Sequence, residues 1–156
     1  MATLYLICGL PGAGKTTLAA LLEREHRAAR LSPDEWLSRL SPEGDGFDDA
    51  LRDRVLALQF DVAMEMLAQG VSVVWDHGCW SLSERDRARR GAQAVGADYS
   101  LLWLDVEAAE LKRRLATRNA NLPPHSFIVT PDLIDAWTPM FEAPVADEPG
   151  LIHLRG

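Results

Sequence analysis

Cysteine is scarce in this chain, with Cys8 and Cys79 the only two in 156 residues. Two thiols cannot build a disulfide framework, and no second pair of ligand residues stands near His77 and Cys79 to complete a zinc site. Lysine is equally scarce. Lys15 and Lys112 are alone among 16 basic residues, so arginine serves almost everywhere a cation is used. Positive charge is in deficit overall, 16 Lys and Arg against 23 Asp and Glu, for a net charge of −7. A protein built to hold duplex nucleic acid usually carries the opposite surplus, so a nucleic-acid partner is disfavoured. No apolar run reaches the roughly 18–20 residues that span a bilayer. The opening stretch, Met1 to Cys8, has no basic flank and runs straight into a glycine turn, which suits a buried strand better than a secretion signal. Repeats, low-complexity tracts and long linkers are also missing. The expectation is a cytoplasmic enzyme or binding domain with no membrane partner.

What is present fits one domain over 1–156, long enough to bury roughly 68–70% of its unfolded surface without staples. Short apolar runs alternate with amphipathic stretches. Leu4–Cys8, Ala29–Ser32, Val71–Trp75, Tyr99–Leu104 and Leu151–Leu154 read as strands. Lys15–Arg27, Pro33–Leu40, Asp49–Gln69, Ser83–Val95, Glu107–Asn119 and Pro131–Phe141 read as helices, with Ser83 as the cap of the fourth. Strands separated by helical crossovers predict a three-layer α/β fold, its five-stranded sheet mostly parallel and covered on both faces. Sites in such sheets lie beyond the carboxyl ends of the strands.

Gly9-Leu10-Pro11-Gly12-Ala13-Gly14-Lys15-Thr16 satisfies G-x-x-x-x-G-K-[ST] at every fixed position, between a strand and a helix. Glycines let successive amides turn inward on phosphate oxygens, and the helix start adds its positive dipole end. Gly9, Pro11, Gly12, Ala13, Gly14, Lys15, Thr16 and Thr17 are therefore the candidate ATP contacts. Lys15 is placed to reach the β- and γ-phosphates, and the Thr16 hydroxyl to ligate Mg²⁺. Asp76, closing the apolar run Val71–Trp75, has the form of an acid that holds Mg²⁺ or its water shell opposite the loop.

Asp34, after the short second strand, has two readings: a base for an acceptor hydroxyl, or a helix first-turn acid stabilised by the dipole. Arg114 and Arg118 lie four apart and share a helix face, ahead of a Pro-Pro loop. Together they suit a helical lid around 107–141 that closes over the transferred phosphoryl group. Arg113 reads as solvated, as does the cluster Arg85, Arg87, Arg89 and Arg90, interleaved with Glu84 and Asp86. The acidic loop 41–49 reads as solvated, or as a receiver for a cationic substrate.

Taken together, the phosphate loop, Ser32-Pro33-Asp34-Glu35-Trp36, Gln59-Phe60-Asp61, Asp76 and the Arg114/Arg118 pair resemble the small P-loop kinases related to the 5′-hydroxyl polynucleotide kinase domain of bacteriophage, the zeta toxins and chloramphenicol phosphotransferase. The resemblance runs from Leu4 to about Phe141. It implies that Asp34 is the general base and that Arg114 and Arg118 belong to the lid, with Lys15 completing the catalytic set. Family members place an arginine a few residues after the base to hold the acceptor's phosphate or the γ-phosphate. Leu37 occupies that position here, and Arg39 is the nearest replacement. The expected activity is an ATP-dependent transfer of the γ-phosphate to a hydroxyl of a small-molecule acceptor. A polynucleotide 5′-hydroxyl kinase and a nucleotide-binding NTPase or switch module without an acceptor are the alternatives.

Overall fold

Strand β1 (Thr3–Cys8) buries Leu4, Leu6, Ile7 and Cys8 completely, because it runs down the middle of the sheet with helices above and below. The computed structural model describes residues 1–156, and its chain order continues with α1 (Lys15–His26), β2 (Ala29–Leu31), α2 (Pro33–Leu40) and α3 (Asp49–Ala68). Then follow β3 (Val73–Gly78), α4 (Leu82–Ala94), β4 (Asp98–Asp105), α5 (Ala108–Ala120), α6 (Pro131–Trp137) and β5 (Leu151–Arg155). The strands lie in the order β2-β3-β1-β4-β5, and every neighbouring pair is parallel. The sheet is thus wholly parallel rather than mostly so. No helix is long and apolar enough to cross a membrane.

Alternation along the strands sorts the core into two layers. Leu4, Leu6, Val73, Trp75 and Leu101 face α3 and α4, where Ala63, Leu67, Ala88 and Ala92 meet them. Ile7, Val74 and Leu102 face α1 and pack on Ala19 and Leu22. The indole of Trp75 donates to Gln59 Oε1 at 3.0 Å, so the one polar atom of that ring is satisfied inside the layer. Strand β1 leaves toward α1 on one face, and its neighbour β3 leaves toward α4 on the other. The crevice between their carboxyl ends is where such sheets hold ligands.

Several boundaries differ from the sequence expectation. Asp76 lies inside β3, not at its end, because β3 starts two residues late and runs on to Gly78. Pairing of β1 with β3 shifts register between Leu6 and Cys8, so Ile7 alone stands opposite Asp76 and His77. Helix α4 is capped by Ser81, not Ser83. Ser81 Oγ accepts from the Glu84 amide at 3.2 Å, and Glu84 Oε2 accepts from the Ser81 amide at 2.9 Å. That reciprocal box satisfies two orphan donors, which a cap at Ser83 would leave open. The last predicted helix stops at Trp137 and tightens to a 3₁₀ turn over Thr138–Met140. Pro139 lacks the amide that the α-helical ladder needs there.

Arg85 departs furthest from expectation. It is not solvated but 2% exposed. Its Nε reaches Glu148 Oε1 at 2.5 Å, Nη2 reaches Glu148 Oε2 at 3.1 Å, and Nη1 donates to the Glu142 carbonyl at 2.8 Å. Arg85 shares the inward face of α4 with Ala88 and Ala92, so its fork ties the segment before β5 to the core. Arg87 packs over the Phe60 ring at 4.2 Å, while Arg89 and Arg90 pair with Asp86 near the surface.

Candidate active site

The turn from β1 to α1 is built from backbone. Gly9 N donates to the Gly78 carbonyl at 2.9 Å, and Ala13 N to the Leu10 carbonyl at 3.2 Å. Gly12 has φ 85°, and a β carbon there would stand 2.9 Å from Leu115 Cγ. Glycine at this point therefore allows both the left-handed turn and the seating of the loop on α5. Gly14 caps α1, so the helix amides open toward the crevice.

Lys15 leads that helix and curls back over the loop, its Nζ donating to the Leu10 carbonyl at 3.0 Å. Burial lowers its pKa, while Asp76 and Asp34 act in the other direction. Thr16 Oγ1 donates to Asp76 Oδ2 at 3.0 Å. Burial raises the Asp76 pKa, against the opposing pull of Lys15 and the Thr16 hydrogen bond. The residues present fit a Mg²⁺ ion: two hard oxygen ligands are already adjacent, and the second carboxylate oxygen of this 8% exposed acid has no protein donor.

Across the crevice, Asp34 stands in the first turn of α2 behind Pro33. Arg52, from the first turns of α3, donates through Nη2 to Asp34 Oδ1 at 2.9 Å and to the Gly46 carbonyl at 3.2 Å. Arg39 does not approach Asp34. It pairs with Glu35 on the surface and is 66% exposed. Leu37 is buried in the core. The arginine beside Asp34 thus comes from a different helix, and sequence reading missed it. The available signal was weak, since Arg52 and Arg54, two residues apart, are both candidates and only the packing of α2 on α3 selects one.

Helices α5 and α6 occupy the region 107–141 expected to act as a lid. Arg118 Nη2 donates to the Phe127 carbonyl at 3.0 Å, and its Nε is buried with no partner. Burial lowers its pKa, and Asp34 is the charge that opposes this. Arg114 lies elsewhere on the loop. Its Nε donates to Glu110 Oε1 at 2.7 Å, and its Nη1 approaches the Ala13 carbonyl at 3.5 Å. Arg113 and Arg114 together hold the Glu110 carboxyl down at about 2. The structure therefore brings Lys15, Thr16, Asp76, Asp34 and Arg118 around one crevice, with Arg114 against the outside of the phosphate loop.

The loop between α5 and α6 touches α2 and the loop before α3 directly. Ser38 Oγ and His125 Nδ1 are 2.7 Å apart, and a β carbon on Gly46 would clash with the Phe127 ring at 2.4 Å. Loop 41–48 spends its acids locally: Asp45 Oδ1 accepts from Phe47 N and Asp48 Oδ1 from Leu51 N, each at 2.9 Å. Beside the crevice, Glu84 joins His77 and Cys79 with all three ligand atoms within 4.8 Å of one another. Glu84 Oε2 is committed to the Ser81 cap, and a closed tetrahedral site needs a fourth ligand.

The sequence matches the AAA domain family over residues 4–144. No curated protein matches the chain at a significant level. Solved structures of similar fold include a sugar kinase from Janibacter sp. HTCC2649, with 20% identity, 99% of this chain and 86% of that one covered, and a TM-score of 0.70. A gluconokinase from Sinorhizobium meliloti 1021 aligns at 18% identity over 97% of this chain and 81% of its own, TM-score 0.67. The Mycobacterium tuberculosis APS kinase CysC, in complex with AMPPNP and APS, aligns at 24% over 99% and 88%, TM-score 0.66. At these identities the likeness establishes the three-layer P-loop fold.

Proposed function

The chain belongs to the AAA domain family, and from that premise we propose that it is an ATP-dependent kinase acting on a hydroxyl of a small molecule. One observation carries the reading. Asp34 faces the phosphate loop, near enough for its charge to act on both Lys15 and Arg118, while Arg52 fixes its orientation. A carboxylate held in that way can take the proton of an attacking hydroxyl. The kinases of similar fold favour the same class of reaction. A net charge of −7 favours a small acceptor over a polynucleotide.

In this reading the loop amides and Lys15 hold the β- and γ-phosphates of ATP, and Thr16 with Asp76 would hold a Mg²⁺ ion, which would supply charge neutralisation at the phosphates. Asp34 Oδ accepts the proton of the acceptor hydroxyl as its oxygen bonds to the γ-phosphorus. The bond from that phosphorus to the β–γ bridging oxygen breaks, and ADP leaves with the electron pair. Arg118 stabilises the charge spread over the moving phosphoryl group.

Asp34→Asn tests the assignment, since it keeps size and polarity but cannot take the proton. Phosphoryl transfer from labelled ATP to alcohol acceptors should fall by roughly 10²–10⁴. Binding of ATP should persist. Transfer at the wild-type rate in Asp34→Asn removes this carboxylate from the mechanism. Brisk hydrolysis with no alcohol accepting phosphate, in the wild type, returns the chain to the NTPase reading.

A further inference from the structure

Three aromatic rings stand in a row along the crevice. Phe47 and Trp137 have centroids 5.8 Å apart with planes at 53°, and Trp137 and Trp80 lie 5.5 Å apart at 58°. Each end of the row is anchored to one half of the chemistry. Phe47 follows Gly46, whose carbonyl accepts from the same Arg52 nitrogen that binds Asp34. At the other end, a β carbon on Gly78 would lie 3.5 Å from Trp80 Nε1 and 3.6 Å from Lys15 Cε. The indole N–H and the lysine stem therefore share the space over Gly78. The row runs from the base to the phosphate loop, the path an acceptor must bridge.

Trp80 and Trp137 pack partly on the cluster of Leu10, Leu111 and Ile134, and none of the three rings is fully buried. Phe47 is 41% exposed, and Trp80 and Trp137 are half-buried. Trp75 shows what a structural indole does here: it is 4% exposed and bonded to Gln59. Trp80 Nε1 makes no hydrogen bond within the protein. Tryptophan is favoured where one end is apolar and the other meets a polar partner.

On the kinase reading above, we propose that Phe47, Trp80 and Trp137 form the acceptor subsite and select a neutral, ring-bearing alcohol. The row itself carries no formal charge and offers a face to a ring, while a cation drawn to the same faces would be repelled by the basic groups at the ends of the row. Polar groups stand at its ends, where Asp34 and Arg52 would meet one edge of the ring and the Trp80 N–H the other. An open-chain polyol has no face to lay on the indoles. A cationic acceptor meets Lys15, Arg52 and Arg118, and the acids of loop 41–48 are largely engaged in their own turns.

The test compares phosphate transfer from labelled ATP to two sets of probes. Methyl glucopyranoside, inositol and adenosine carry rings, while glycerol and sorbitol do not. The expected result is a kcat/KM at least about tenfold higher for one or more ring probes. Trp137→Leu keeps apolar bulk but loses the face, and should raise the KM for that probe by about tenfold, with the KM for ATP within about twofold. Trp137→Phe should restore most of the affinity, which guards against a folding artefact. Trp80→Phe keeps a ring and removes the N–H, and should lower kcat more than it raises KM. Open-chain polyols accepted as well as rings, or an unchanged acceptor KM in Trp137→Leu, overturns the subsite while leaving the kinase reading intact. Absence of transfer to every alcohol, with ATP still bound, defeats the kinase reading and the subsite with it.

Discussion

Arg52 and Asp34 sit on different helices, and a single 2.9 Å hydrogen bond from Nη2 to Oδ1 joins them. Asp34 is 53% exposed and Arg52 31% exposed, so solvent screens the pair and its worth to stability is under about 1 kcal/mol. Its value lies in aim. The same nitrogen holds the Gly46 carbonyl, so one guanidinium sets both the carboxylate and the loop bearing Phe47.

Arg52→Ala should therefore leave urea unfolding within about 1 kcal/mol of wild type. Its kcat/KM for the acceptor should fall by about 10–100-fold, since small misplacements at a reacting group cost that much. A variant that loses several kcal/mol of stability yet turns over normally would contradict the positioning role.

Arg118→Ala should lower turnover by on the order of 10²–10³, the usual loss for one preorganised donor to developing charge. ATP affinity, measured with a fluorescent analogue, should change much less. Arg118→Lys keeps a charge but not the fork that binds the Phe127 carbonyl, so it should recover activity only in part. Equal activity in Arg118→Ala and wild type would take this residue out of the lid.

The Arg85–Glu148 pair makes the opposite prediction, because its side chains are only 2% and 7% exposed. Arg85→Ala leaves a carboxylate buried alone and should cost about 3–5 kcal/mol in urea unfolding. Arg85→Met combined with Glu148→Leu removes both charges and should recover most of that loss. A double variant no more stable than Arg85→Ala would show that the charge itself is required.

Cys8 and Cys79 are buried, and burial pushes the Cys8 thiol up to about 12 and Cys79 well above its ordinary value. Thiolate is the reactive form, so both should resist a thiol reagent at pH 8 in the folded protein. Two thiols should react once guanidinium unfolds the chain. One rapid equivalent in the folded state would contradict the burial of at least one of them.

The alternation of strands with helices, and the loop Gly9–Thr16, were legible because each depends on local pattern. Apolar runs mark parallel strands, and fixed glycines mark a backbone turn. The place of Asp34 was legible only as one of two readings, since a helix first turn favours acids whether or not they work. Arg52, Trp80 and Trp137 were not legible, because each acquires its position from packing between distant elements. The solvated reading of Arg85 failed for a related reason. Its partner Glu148 lies 63 residues away, and nothing local distinguishes it from Arg87 or Arg89.

The sheet order also dictates a sequence of events during synthesis. Strand β1 is translated before every other strand, yet its two neighbours are β3 and β4, with Leu4 paired to Val73 on one side and Tyr99 on the other. Until Asp98–Asp105 has emerged, one edge of an almost wholly apolar strand has no permanent partner. Contacts so distant along the chain form slowly, and open edges invite other chains. The nascent chain therefore passes through a long interval in which its phosphate loop is made but unsupported. A pause or truncation before Leu102 leaves an aggregation-prone fragment, whereas one beyond it leaves a sheet whose centre is already closed.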